Sequence, residues 1–221
     1  MIHTIQLRLS NAFLVIGDRP ILVDSGSPGE CEVIEQTMRK TGVDPGDIAL
    51  VFLTHVHGDH AGSAAEFARR FDCPVAFHAG DQPIMDRGSN GKLVGIGLRG
   101  KMLEPFFLDG EFEQADRDVE LVEGQRLDEF GIAGKVIGTP GHTAGSVTLL
   151  LDNGDAIVGD ALMGGYLGGK LFSSRPMLPY FCEDIDQVHD SIQNIIESVT
   201  GQIYVGHGGP LTSKAVERRF A

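Results

Sequence analysis

Apolar positions along the chain switch repeatedly between a period of two and a period near three and a half, which predicts short strands alternating with helices. "HTIQLRL", "AFLVIG" and "PILVDSG" read as strands, and "GDR" joins the latter two as a hairpin. Residues 29–41 carry helical spacing, and "IALVFLT" is a continuous apolar run of the kind that forms a buried strand. "AGSAAEFARRF" then reads as a helix and "PVAFHA" as a strand. Further strands follow at "DVELV", "GKVIGT", "SVTLLL" and "DAIVGD". Residues 184–199 read as a helix, "QIYVG" as a strand, and the C-terminus as a short helix.

Two stretches break this rhythm. Between Gly88 and Gly100 there are five glycines, so residues 88–115 read as a mobile insertion, and residues 161–183 form a second irregular one. No change of composition marks a linker, and no repeat is clear enough to use. Residues 1–221 therefore read as a single domain.

The ends of the strands carry the chemistry. "ILVDSG" ends in Asp24, "VFLTHVHGDH" in three histidines and an aspartate, "VIGTPGHTAG" in His142, "AIVGD" in Asp160 and "IYVGHGG" in His207. In sheets flanked by helices, functional side chains collect where loops leave the carboxyl ends of strands. Imidazoles and carboxylates are ligands for Zn, Fe and Mn, and a binuclear pair needs roughly three protein ligands per ion and a bridge. His55 and His57, two apart in an extended segment, can face the same way, and Asp59 and His60 then start a helix. From this chain's own His and Asp frequencies, H-x-H-x-D-H is a chance event on the order of one in a thousand. His3, His78 and His189 stand alone and read as ordinary polar residues, with His78 near the rim of the site because it ends a strand.

Charge and cysteine content narrow the function classes. Lys and Arg total 18 against 31 Asp and Glu, a formal net charge of −13, which disfavours nucleic acid as a partner. Cys31, Cys73 and Cys182 are few, scattered and odd in number, so neither a disulfide framework nor a thiolate zinc site is expected, and cytoplasmic residence is the natural reading. The N-terminus lacks the apolar core of a secretory signal, and no apolar run reaches the roughly 18 residues that span a bilayer. A soluble protein with no membrane partner is expected, as a monomer or homodimer acting on a small molecule.

T-H-x-H-x-D-H-x-G followed by H, D and G-H-G, from Asp24 to Gly208, resembles the metallo-beta-lactamase superfamily. The resemblance implies an α/β fold, a four-layer αβ/βα sandwich of two mixed sheets with helices outside and the metals at one edge. Carried over by position, His55, His57 and His142 would hold the first metal, and Asp59, His60 and His207 the second. Asp160 would bridge them, and Asp24 would orient a ligand histidine. Two divalent ions are implied, zinc first, with iron or manganese as alternatives.

The zinc β-lactamases of the superfamily commonly have Cys or Ser where Asp160 stands, which points away from antibiotic degradation and toward glyoxalase II and the lactonases. A glyoxalase II usually continues into a helical domain, whereas fourteen residues follow His207 here.

The expected reaction is attack of a metal-activated hydroxide on an ester, lactone or thioester carbonyl, with Asp59 or Asp160 moving the proton onward. Tyr166, six residues past the bridge, is the candidate oxyanion donor. Arg87, Lys92, Arg99 and Lys101, with Leu93, Ile96, Leu98, Met102 and Phe106 beside them, would form a lid for an anionic, partly apolar substrate. Iron-dependent oxidation resembling the persulfide dioxygenases, and a non-catalytic metal-binding module, are the alternatives from other classes.

Overall fold

Alternation of buried side chains along β2 (Asn11–Ile16), β3 (Pro20–Val23), β4 (Val51–Phe52) and β5 (Val75–Phe77) shows how the layers are stacked. Phe13, Val15, Ile21, Val23, Phe52 and Ala76 face one core, while Leu14, Leu22, Val51, Val75 and Phe77 face another. A sheet buried on both faces needs apolar residues at every position, and "IALVFLT" supplies them. The computed structural model describes residues 1–90, 93–103 and 110–221, except for the side chains of Arg99 and Leu103.

The first sheet adds β1 (Ile2–Gln6) outside β2 and β6 (Val119–Glu120) outside β5. Its first three strands are antiparallel neighbours and the remaining pairings are parallel. The second sheet has the order β13-β12-β9-β8-β7, built from β7 (Gly134–Gly138), β8 (Val147–Leu151), β9 (Ala156–Ile157), β12 (Gln202–Tyr204) and β13 (Leu211–Thr212). Val136, Leu149 and Ile157 close the core between the sheets against Phe13 and Phe52. Each such side chain removed from water contributes roughly 1.5–3 kcal/mol.

Helices cover both outer faces. Outside the first sheet lie α1 (Cys31–Lys40) and α2 (Ala64–Phe71), which bury Ile34, Met38 and Phe67. α1 carries Glu32 in its first turn and Arg39 and Lys40 in its last, the sense that complements the helix dipole. α3 (Gln82–Arg87) and α4 (Gly97–Leu103) follow β5. Outside the second sheet lie α5 (Ile185–Ser198) and α6 (Ser213–Phe220), which bury Val188, Ile192, Ile195 and Val216 against Ile203 and Val205. Asp184 caps α5 by accepting from the backbone N–H groups of Asp186 and Gln187. Three cores between four layers make this the αβ/βα sandwich.

Both stretches read as irregular contain regular structure. α4 lies in the first, and the second carries an antiparallel hairpin of β10 (Met163–Tyr166) and β11 (Leu171–Met177). Five consecutive exposed residues, Leu171 to Arg175, and left-handed backbone at Leu167 and Phe172 erase the alternation by which a strand is recognised. Among the described residues, no helix is long and apolar enough to cross a membrane.

Candidate metal centre

β3, β4, β9 and β12 end at one edge of the sandwich, and the turn between β7 and β8 reaches the same place. The structure gathers His55, His57 and His142 into one group, His55, His60 and Asp160 into a second, and Asp59, His60 and His207 into a third. Within each group the ligand atoms lie within 4.8 Å of one another. All seven residues expected at a metal centre are thus brought together. Gly206 leaves the space they need, since a Cβ there would lie 2.2 Å from Asp160 Oδ1 and 2.5 Å from His60 Cε1.

The chain fixes one ring nitrogen of four imidazoles and leaves the other facing the cluster. His60 Nδ1 donates to Asp24 Oδ2 at 2.9 Å, and His55 Nδ1 lies 3.1 Å from Thr54 Oγ1, which itself donates to Asp24. His142 Nδ1 donates to the carbonyl of Phe181 at 2.8 Å, and His207 Nδ1 to that of Leu9 at 2.9 Å. Holding a ligand histidine by its far nitrogen sets both tautomer and ring orientation. Asp24 adopts a left-handed φ of 57°, tolerable for Asp, while its backbone N–H stays bonded to Phe52.

Electrostatics divide the cluster in two. Burial, reinforced by the neighbouring imidazoles, pushes His57 down to about 3 and His55 well below the usual histidine range. Burial opposes protonation of His60 as well, but Asp160, Asp59 and Asp24 outweigh it and raise that imidazole to about 9. His207 is raised well above its ordinary value in the same way, against burial, by Asp160 and Asp59. Asp160 and Asp59 are held below the usual carboxylate range, burial being overcome by His207 and His60.

His55 Nε2, His60 Nε2 and Asp160 Oδ1 are buried without a hydrogen-bond partner. Buried polar atoms are ordinarily satisfied, so three orphans within a group whose ligand atoms lie within 4.8 Å of one another suit cation binding. Nitrogen and carboxylate donors are appropriate to Zn, Fe or Mn. Asp160 lies between the two halves, with Oδ2 3.1 Å from His207 Nε2 and 3.8 Å from His142 Nε2, and Oδ1 3.5 Å from His60 Nε2.

Beside His57 and His142 a slot opens, lined also by Asn90, Leu93, Val94, Phe181, Cys182 and Glu183. The segment around Val94 is joined to its far wall through Ile96 N to Tyr180 O at 2.7 Å and Cys182 N to Val94 O at 3.2 Å. Of the expected lid residues, Arg87 donates to the carbonyl of Ser89 and Lys101 is exposed on α4. Lys92, Phe106 and the side chain of Arg99 lie outside the described residues. Tyr166, expected as an oxyanion donor, sits on β10 with the Arg175 guanidinium 5.5 Å from its ring centroid, and it is not among the described residues of the slot. His78 accepts from the N–H of Gly80 and caps the turn after β5.

Several residues support the cluster without being assigned a role from the sequence, although Thr54 opens the T-H-x-H-x-D-H-x-G motif. Thr54 links His55 to Asp24, and the hydroxyl of Ser10 donates to the carbonyl of Asp59. Asn90 Oδ1 accepts from Gly58 N at 2.6 Å, inside the histidine-rich loop. Asp81, fully buried, binds Val56 N, Thr143 Oγ1 and Gly145 N. Of the others, only Asp81 carried a readable signal, an aspartate just beyond the strand "PVAFHA" like those beyond β3 and β9.

A family profile described as the Metallo-beta-lactamase superfamily matches residues 5–207. A probable metallo-hydrolase of Methanocaldococcus jannaschii is 28% identical over 205 residues, spanning 90% of this chain and 87% of the relative. A hydroxyacylglutathione hydrolase of Acidiphilium cryptum is 32% identical over 132 residues, spanning 59% of this chain and 42% of that protein. A protein crystallised in a di-iron-bound form superposes with a TM-score of 0.68 at 24% identity, covering 100% of this chain and 98% of that one.

Proposed function

The chain belongs to the metallo-beta-lactamase superfamily, and from that premise we propose that it is a binuclear metallo-hydrolase acting on the ester, lactone or thioester carbonyl of a small molecule. The observation that carries this reading is Asp160, whose carboxylate lies against His142 of the one ligand set and His60 and His207 of the other. His55, His57 and His142 would hold one ion, Asp59, His60 and His207 the other, and Asp160 both. Zinc is our first assignment, with iron, present in the structural relative, and manganese as alternatives. When bound, such ions polarise a carbonyl and bring the ionisation of water down to about pH 7.

The chain's own residues supply the rest. Leu93, Val94 and Phe181 wall the approach to His57 and His142, in a slot of about 10 Å³ that has room for about one water molecule. Asp59, with its side chain 24% exposed, is better placed than Asp160, at 10%, to pass a proton toward a departing alkoxide or thiolate. The hydroxyacylglutathione hydrolase among the relatives supports the acyl-transfer class. Arg87 would act with Lys92, Arg99 and Lys101 in selecting an anionic substrate.

A panel of simple esters, lactones and acyl thioesters, assayed before and after chelation, tests the reading. We expect chelator-sensitive turnover of at least one class that returns on adding Zn²⁺. Turnover unaffected by chelation, or none on any carbonyl substrate by the metal-loaded protein, would overturn it.

A further inference from the structure

We infer that Asp81 is a positioning residue for the centre: its carboxylate locks the loop carrying His55 and His57 to the turn carrying His142, and so sets the metal affinity of that half. The inference rests on the metal centre proposed above. Asp81 lies just after β5 and is fully buried. Its Oδ2 accepts from Val56 N at 2.8 Å and from Thr143 Oγ1 at 2.9 Å, and its Oδ1 from Gly145 N at 2.7 Å. Val56 stands between His55 and His57, and Thr143 directly follows His142. One carboxylate therefore spans the loop of the first sheet and the turn of the second, across which His57 Nδ1 and His142 Nε2 approach to 3.0 Å.

Two features tie this position to a carboxylate. All three partners are donors, so an acceptor-only group satisfies them, whereas an amide would turn N–H against N–H. Gly145 also permits the approach, since a Cβ there would lie 2.5 Å from Asp81 Cγ. Val56, packed in the core beneath α1 and α2, is held by its side chain as well as its N–H. In the other half, His60 is held by Asp24 and His207 by Leu9, without Asp81.

The test is Co²⁺ titration of the metal-free full-length protein, followed by its visible absorption, for wild type, Asp81→Asn, Gly145→Ala and Thr143→Val. Imidazole NMR of the metal-free forms accompanies it. We expect two Co²⁺ equivalents in the wild type. In Asp81→Asn one step should weaken about 10–100-fold while the other stays within about threefold. Gly145→Ala should weaken the same step, and Thr143→Val should do so less. The ring signals of His57 and His142 should move, and those of His60 and His207 should stay. Equal weakening of both steps, or of neither, would overturn the role of Asp81 while leaving the metal centre intact. Failure of the wild type to take up Co²⁺ would instead count against the metal centre. Unchanged His57 and His142 signals would then overturn the positioning role on their own. If Asp81→Asn does not fold, the Thr143→Val and Gly145→Ala titrations decide by the same criteria.

Discussion

His60 and Asp24 form a hydrogen-bonded pair at 2.9 Å in which both side chains are wholly excluded from solvent. Because Asp24 also receives Thr54, which contacts His55, one carboxylate orients an imidazole in each half of the cluster. Asp24→Ala should therefore lower metal affinity about 10–100-fold, measured by equilibrium dialysis. Unaltered affinity in that variant would mean the far-nitrogen contacts do not govern binding.

Asp160→Ala removes the group lying between the two halves. Turnover should fall about 100-fold or more, while the fold, whose three cores lie elsewhere, persists by circular dichroism. Wild-type kinetics in this variant would show that the bridge is misassigned.

Stability of the metal-free protein should peak at about pH 6.5. His60 is raised to about 9 on folding, so its contribution is complete below 6.5 and is lost as pH rises through 9. His207, raised well above its ordinary value, acts in the same direction. His57, depressed to about 3, and His55 do the reverse: the unfolded chain takes up their protons below 6.5 and the folded chain resists, so stability falls on acidification. Thermal melting of chelated protein between pH 5 and 10 checks this. Added metal displaces the protons of His60 and His207 and should abolish the alkaline decline. A metal-free curve still rising from pH 7 to 9 would contradict the ionisation scheme.

Glu183 lines the slot; burial and then Asp81 raise its carboxyl, the Ala144 N–H and His142 pull it back, and the Arg87 guanidinium adds a weaker pull in the same direction. Arg87→Gln combined with Lys101→Gln should raise KM for anionic acyl substrates several-fold and leave KM for an uncharged ester nearly unchanged. Equal effects on the two substrates would remove these residues from substrate selection.

What the sequence revealed follows from how each feature is encoded. The layers were legible because Phe13 and Leu14, or Phe52 and Leu53, send successive apolar side chains to opposite cores. The histidines and aspartates of the cluster were legible because each punctuates the end of an apolar run. Their supports were harder to see. Phe181 and Leu9 act through backbone carbonyls, which residue type does not report, and Asn90 meets Gly58 across 32 positions of sequence. The β10–β11 hairpin was hidden by its exposed, unalternating second strand and by left-handed backbone at two residues other than glycine.

Metal content bears most directly on the central claim. Protein purified without added metal, then dialysed against limiting free Zn²⁺ and analysed by plasma mass spectrometry, should carry close to two ions per chain, with hydrolysis rising to its maximum only as the second is bound. Full activity at a reproducible one ion per chain would contradict a binuclear centre.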